Sequence, residues 1–268
     1  MSRLDQERAR GFDAWAGEYD RFRPGYPDAL FDTIATRLDL PERPCVVDLG
    51  AGTGRATLAM AERGWRVTAV EPGRPMLDLL RSAATDAGLL VATVQAPAEE
   101  TGLDPGSADL VTAAQSFHWF DKSAALTEIA RILRPGGGLA LFWNVRDGSR
   151  SPFLADYEQL LQRSVQRTDA GRYEWEGREA TQRAFESHAS AFEPPEIVEL
   201  HHEVVMTDAD FIGLAFTASY IKVGLTPEEQ DRFRLELAAL LGRHGLNDGR
   251  PFAVPYRIDL WIARRRGT

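Results

Sequence analysis

Short apolar runs alternate with amphipathic stretches through the first 145 residues. Leu30, Ile34 and Leu38 recur at helical spacing behind Pro27, a residue suited to a first helical turn. Cys45-Val46-Val47-Asp48-Leu49 is a buried-strand pattern that stops at Gly50. A helix is predicted over 53–63 and a second strand over 65–70. Met76, Leu80, Ala83, Ala84 and Ala87 share a helical face, and 91–94 and 108–113 read as strands three and four. Leu126, Ile129, Ala130 and Leu133 mark another helix, ended by Arg134-Pro135-Gly136-Gly137-Gly138, before a fifth strand over 139–145. The unbroken apolar run Leu139-Ala140-Leu141-Phe142-Trp143 suits a strand buried on both faces. Alternation of this kind predicts right-handed crossovers and a doubly wound α/β fold.

The second half is less periodic. Over 151–195 the chain is charged, and Phe153, Tyr157, Leu160 and Leu161 predict a single helix. A strand is expected over 197–206, and Thr226-Pro227-Glu228-Glu229 is a capping box that opens a helix with Phe233, Leu237, Leu240 and Leu241 on its apolar face. Phe252 to Ile262 alternates as a final strand that returns to the sheet. Phe211, Phe216 and Tyr220 fit either a lid over an apolar substrate or, more commonly for such a stripe, helical core. One domain with a helical insertion is therefore expected over 1–268: an N-terminal helical cap over 1–26, a cofactor-binding core over 27–145, substrate-side helices plus one strand over 146–250, and the last strand over 251–268.

Composition narrows the function. The 268 residues carry a net charge of −9, which disfavours nucleic acid as a partner. No apolar run approaches transmembrane length and Met1 to Arg10 holds no signal-peptide core, so a cytoplasmic protein off the membrane is expected. Cys45 is the one cysteine, which excludes an internal disulfide and a cysteine zinc site. His201 and His202 are neighbours on a strand and point to opposite faces, so no metal site is expected. Arginines number 29 against 2 lysines, a usage that suggests a bacterial source.

The chemistry is concentrated in Asp48-Leu49-Gly50-Ala51-Gly52-Thr53-Gly54, between the first strand and its helix, at the edge where open α/β sheets bind ligands. A dinucleotide fingerprint requires glycine where Arg55 stands, and a P-loop requires a longer glycine spacing followed by lysine. Neither phosphate-binding pattern fits. Glu71 closes the second strand 17 residues past Gly54, where a carboxylate can accept hydrogen bonds from both hydroxyls of a ribose. The pair describes a site for a nucleoside without a pyrophosphate, as in S-adenosylmethionine.

Five ordered motifs then carry a resemblance: V-V-D-L-G-A-G-T-G-R (46–55), V-E-P (70–72), A-P-A-E-E-T (96–101), D-L-V-T-A-A-Q-S-F-H-W-F-D (109–121) and L-R-P-G-G-G-L (133–139). The chain resembles the class I S-adenosylmethionine-dependent methyltransferases. The H-W-F-D run, Y-D-R-F-R-P-G-Y-P (19–27) and P-Y-R (255–257) resemble the type-11, trans-aconitate-methyltransferase-like branch. The resemblance implies a Rossmann-like, mostly parallel seven-stranded sheet with an antiparallel last strand and a C-terminal helical insertion acting as a lid. It implies that Asp48 and the loop Gly50, Ala51, Gly52, Thr53 and Gly54 hold the methionine moiety and Glu71 the ribose. Pro72 and Met76 would flank the adenine, Ala98 and Glu99 would meet its polar edge, and Gln115 and Ser116 would lie near the sulfonium. Tyr19, Arg23 and Tyr26 are candidates to close over the site; Tyr26, Trp119, Asn144 and Tyr220 are candidates to meet the acceptor.

His118 follows the fourth strand and is either a general base or a pocket-shaping residue beside Trp119, the latter reading being preferred. The reaction implied is methyl transfer to a small-molecule acceptor at O, N or C, with carboxylate or hydroxyl foremost and S-adenosylhomocysteine as product. The alternatives are a protein of this fold that binds the cofactor but catalyses another reaction, and a binding module.

Overall fold

A computed structural model describes residues 21–165 and 173–267 of the chain. The elements, in order, are α1 (Asp28–Arg37), β1 (Cys45–Leu49), α2 (Arg55–Glu62), β2 (Arg66–Val70), α3 (Arg74–Asp86), β3 (Val91–Val94), β4 (Ala108–Ala114), α4 (Lys122–Ile132) and β5 (Leu133–Arg146). They continue as α5 (Pro152–Val165), α6 (Tyr173–Ser187), β6 (Glu196–Met206), α7 (Asp208–Phe216), α8 (Ser219–Lys222), α9 (Pro227–Arg243) and β7 (Phe252–Arg264). Seven strands form one sheet in the order β3-β2-β1-β4-β5-β7-β6. The first five are parallel, and β7 runs antiparallel to both of its neighbours, β5 and β6. This is the Rossmann-like sheet with an antiparallel last strand that the resemblance implied. The order reverses between β1 and β4, the position where such sheets open a crevice at the strands' carboxyl ends.

Strand periodicity divides the core. Val46, Leu110, Ala140 and Phe142 pack on one face with Leu30, Phe31 and Ile34 of α1 and Met60 of α2. Their neighbours Val47, Val111, Leu139 and Leu141 pack on the other with Leu126 and Ile129 of α4 and Phe185 of α6. A third apolar cluster joins α5, α7 and α9 to the start of β7. Phe211 and Phe216 are buried in it and Tyr220 lies at its margin, so the aromatic stripe is core. Among the described residues no helix is long and apolar enough to cross a membrane.

Two differences from the sequence reading have local causes. Helix α6 lies within the weakly periodic 151–195 stretch; of its described side chains Thr181, Ala184 and Phe185 are buried, too few to mark an apolar face. Strand β5 begins at Leu133 rather than 139 because Leu133 pairs with Ala108 before the ladder jumps to Gly138 opposite Leu110. The glycines between are absorbed as a bulge.

Gly138 sits against α1's C-terminus: a Cβ there would overlap the Leu38 side chain, which is 3% exposed. Gly138→Ala is expected to cost about 1–3 kcal/mol in urea unfolding, and Leu38→Ala added to it to cost less than the sum of the two single changes.

Candidate functional site

The loop after β1 is held by β2. Gly50 and Ala51 both donate their N–H to the Val70 carbonyl, at 2.8 and 3.2 Å. The Glu71 carboxylate takes the next amides: Gly52 N–H donates to Oε2 and Gly73 N–H to Oε1, each at 2.9 Å. The carboxylate thereby braces the loop and the entry to α3 together. Gly50 has φ +63°, and a Cβ there would stand 2.6 Å from the Ser116 Cβ, so only glycine lets the loop and the end of β4 approach. Gly52, at φ +57°, has nothing within 4 Å of a built Cβ, and this open side belongs to a cavity.

The cavity encloses about 820 Å³ at the carboxyl ends of β1, β2, β4 and β5. Gly50, Ala51, Gly52 and Thr53 form its floor, beside Glu71. Pro72, Met76 and Ala98 form an apolar wall with Glu99 at its rim; the Glu99 carboxylate accepts the Asp121 N–H at 2.7 Å. Gln115, Ser116, Trp119, Arg23, Tyr26 and Asn144 also line it. Ser116 donates to the Leu49 carbonyl at 2.8 Å. Tyr26 packs edge-on against Phe142, ring centroids 4.9 Å apart. Gln115 adopts φ +55°, unusual for a residue with a side chain, and is locked by its N–H to Phe142 O (2.9 Å) and its Nε2 to Asn144 O (3.0 Å). Backbone strain of this kind collects at functional sites.

Four predicted residues lie elsewhere, and Tyr19 lies outside the described residues. Asp48 turns away from the cavity: its carboxylate is 1% exposed and accepts hydroxyl protons from Thr57 (2.6 Å) and Thr112 (2.7 Å). Strand alternation explains this, since Leu49 and Val47 share one face and Asp48 takes the other, under α2. Gly54 caps α2 at φ +96° and is required by packing, because a Cβ would lie 2.8 Å from Leu80. Tyr220 accepts a hydrogen bond from Arg146 at 3.1 Å and does not line the cavity.

His118 is the fourth. It sits behind the wall that Trp119 and Phe120 make, and its Nδ1 accepts the Trp143 indole N–H at 3.2 Å, which places the ring proton on Nε2. Burial, followed by the charges of Lys122 and Arg23, pushes it down to about 3. A neutral histidine with so low a value is a poor base near neutral pH. In this position His118 backs the wall with its Nδ1 already occupied. Asn144 is also fully engaged: Nδ2 donates to Gly25 O at 3.1 Å, and Oδ1 faces His202 Nε2 at 3.0 Å.

Sequence reasoning missed Arg55, Phe120 and Pro97, which also line the cavity. Arg55 served there only to exclude a dinucleotide motif, although the first residue of α2 necessarily faces the crevice. His201 and His202 diverge, His201 toward Asp147 (3.4 Å) and His202 toward Asn144. Among the described residues no group of three or more His, Cys, Asp or Glu side chains could hold a metal ion.

The residues present fit S-adenosylmethionine. The Thr53 hydroxyl is buried without a hydrogen-bond partner at the cavity floor, Gly52 leaves room that a Cβ would fill, and Glu71 offers a braced carboxylate. The chain's matches agree. Residues 47–141 match the family described as "Methyltransferase domain". An uncharacterized methyltransferase of Mycobacterium tuberculosis is 44% identical over 142 residues, 53% of this chain and 55% of that protein. One of Schizosaccharomyces pombe is 34% identical over 155 residues, 58% and 60% of the two chains. The chain thus matches a little over half the length of these relatives. A solved structure of a type II methyltransferase from Anaeromyxobacter dehalogenans superposes with a TM-score of 0.70 at 27% identity, covering 92% of this chain and 100% of that one. In fold, loop and matches the chain is similar to the class I S-adenosylmethionine-dependent methyltransferases, whose cofactor the residues of this site fit.

Burial raises Asp48 from 3.8 to about 6, against the pull of the Thr57 and Thr112 hydroxyls. A raised carboxylate stabilises the fold below its unfolded value and loses that contribution as pH climbs to the folded one. Asp48→Asn is therefore expected to flatten the fall in stability between pH 3.8 and about 6, a fall of roughly 3 kcal/mol in urea titrations at stepped pH.

Proposed function

We propose that the chain transfers the methyl group of S-adenosylmethionine to a small-molecule acceptor, with a carboxylate oxygen as the first candidate nucleophile. The observation that carries the reading is the single cavity shared by the glycine loop, Glu71 and the strained Gln115. Bound there, S-adenosylmethionine supplies an already activated methyl on a sulfonium. The chain's task is then alignment, worth up to about 7–11 kcal/mol when two reactants are held in line. Glu71 would accept the ribose hydroxyls, while Pro72, Met76 and Ala98 would sandwich an aromatic base in their apolar wall. The loop amides of Gly50, Ala51 and Gly52 are committed to Val70 and Glu71, so Thr53 is the loop residue with a hydroxyl to offer the methionine end. Trp119, Phe120 and Tyr26 exclude water, and their π faces suit a positive charge.

Two features support a small, ionised acceptor. The cavity volume lies in the range of small-molecule sites, and the net charge of −9 disfavours RNA or DNA. Among the described cavity residues the carboxylates of Glu71 and Glu99 already accept backbone N–H groups, and His118 stands outside. A nucleophile that arrives deprotonated needs none of them.

Incubation with methyl-labelled S-adenosylmethionine and a panel of carboxylic, phenolic and amine acceptors is expected to yield labelled ester from carboxylates with equal release of S-adenosylhomocysteine. Cofactor binding with no labelled product across the panel would favour the non-transferring alternatives. The pH–rate profile on the active acceptor is expected to contain no limb that His118→Gln removes, with kcat lowered less than about tenfold; loss of a limb near pH 6.5 in that variant would restore histidine as base.

A further inference from the structure

The segment ahead of α1 contributes Arg23, Pro24 and Tyr26 to the cavity's lining. It is packed at both ends. A Cβ on Gly213 of α7 would stand 2.6 Å from the Phe22 ring, and Tyr26 meets Phe142 edge-on with ring centroids 4.9 Å apart. Between these anchors Pro24 and Pro27 fix their own φ, which leaves Gly25 the freest point of the segment. A side chain holds it there: Asn144 Nδ2 donates to Gly25 O at 3.1 Å. Asn144 is itself anchored through its main chain, whose carbonyl accepts Gln115 Nε2 at 3.0 Å.

A second residue sets which way the Asn144 amide turns. Asn144 on β5 and Leu200 on β6 are both register partners of Ile258 on β7. His202, two residues past Leu200, is on the same face and reaches over β7 toward Asn144. Its Nε2 lies 3.0 Å from Asn144 Oδ1. A carbonyl only accepts, so Gly25 O requires the amide nitrogen; Oδ1 then faces His202, and Nε2 must carry the ring proton. Turned over, the amide would set oxygen against oxygen at Gly25. Burial pushes His202 below its ordinary value, which keeps the imidazole neutral with that one proton to place. The Tyr256 ring lies beside it, 5.5 Å between centroids. His202 itself does not line the cavity.

We propose that His202 is a positioning residue for the methyl-transfer site: its Nε2–H orients the Asn144 amide, and that amide fixes Gly25 so that Arg23 and Tyr26 keep their places in the cavity's lining. The inference rests on the methyltransferase reading, which gives the positioned residues an acceptor to meet. Gly52 and Gly73 tie Glu71 to β1, β2 and α3 through other hydrogen bonds, so the effect of His202 falls on the acceptor and not on the cofactor.

The test is nitrogen-15 NMR of the full chain, with acceptor kinetics on the same variants. The unmodified chain is expected to show His202 as the neutral Nε2–H tautomer near neutral pH and a Gly25 order parameter of about 0.85. His202→Gln keeps an N–H at the Nε2 position and is expected to leave Gly25 ordered and the acceptor KM within about twofold. His202→Phe keeps a ring without the donor and is expected to lower the Gly25 value to about 0.6 or below and to raise the acceptor KM about fivefold, with kcat and S-adenosylhomocysteine affinity within about twofold. A purely space-filling histidine would rank the two variants the other way. An Nδ1–H tautomer in the unmodified chain, which needs no substitution to observe, or a Gly25 equally ordered in both variants, overturns the proposal. Failure of the unmodified chain to bind S-adenosylhomocysteine would instead overturn the methyltransferase reading, while the tautomer and the Gly25 value still decide the His202–Asn144 contact.

Discussion

The Glu71 carboxylate is the joint on which the proposed site depends. It stands at the carboxyl end of β2 and accepts two backbone N–H groups, from Gly52 in the loop after β1 and from Gly73 ahead of α3. Both oxygens are thereby oriented before any ligand enters. An ionised acceptor with two backbone donors is stronger than a neutral pair, and it joins two crossovers that the parallel sheet only places side by side. Gly50 completes the joint, since its missing Cβ lets Ser116 and the end of β4 close on the loop.

From that joint the division of labour follows the strand ends. β1 and β2 build a floor with polar groups already spoken for, so recognition there depends on shape, on Thr53 and on the two Glu71 oxygens. β4 and β5 supply a rigid opposite side, where Gln115 is held in a strained conformation by Phe142 and Asn144. The Asn144 side chain in turn ties Gly25 to His202, linking the segment ahead of α1 to β6.

Much of this was legible in the chain. The doubly wound sheet could be read because each strand is a short apolar run ending in a turn, and because glycine spacing at 50, 52 and 54 with a carboxylate at 71 has few chemical uses. What could not be read depends on which way a side chain turns. Asp48 belongs to the same motif as Gly50, yet strand alternation sends it beneath α2 toward Thr57 and Thr112. Gly54 answers to Leu80, a packing partner 26 residues away. For His118 the sequence left a base and a pocket-shaping role side by side, and only the structure shows that Trp143, one strand over, occupies Nδ1. Arg146 drew no notice in the sequence because its neighbours Tyr157, Tyr220 and Tyr256 are contributed by three later elements. Such pairings are long-range, and no local periodicity encodes them.

The central claim, that the glycine loop and Glu71 form a nucleoside-sulfonium site, is tested most directly by titrating the chain with S-adenosylhomocysteine by calorimetry, with Glu71→Ala and NADH run in parallel. The account predicts micromolar binding of S-adenosylhomocysteine, weakened about a hundredfold in Glu71→Ala, and none of NADH. Binding of NADH by the unmodified chain without binding of S-adenosylhomocysteine would contradict it.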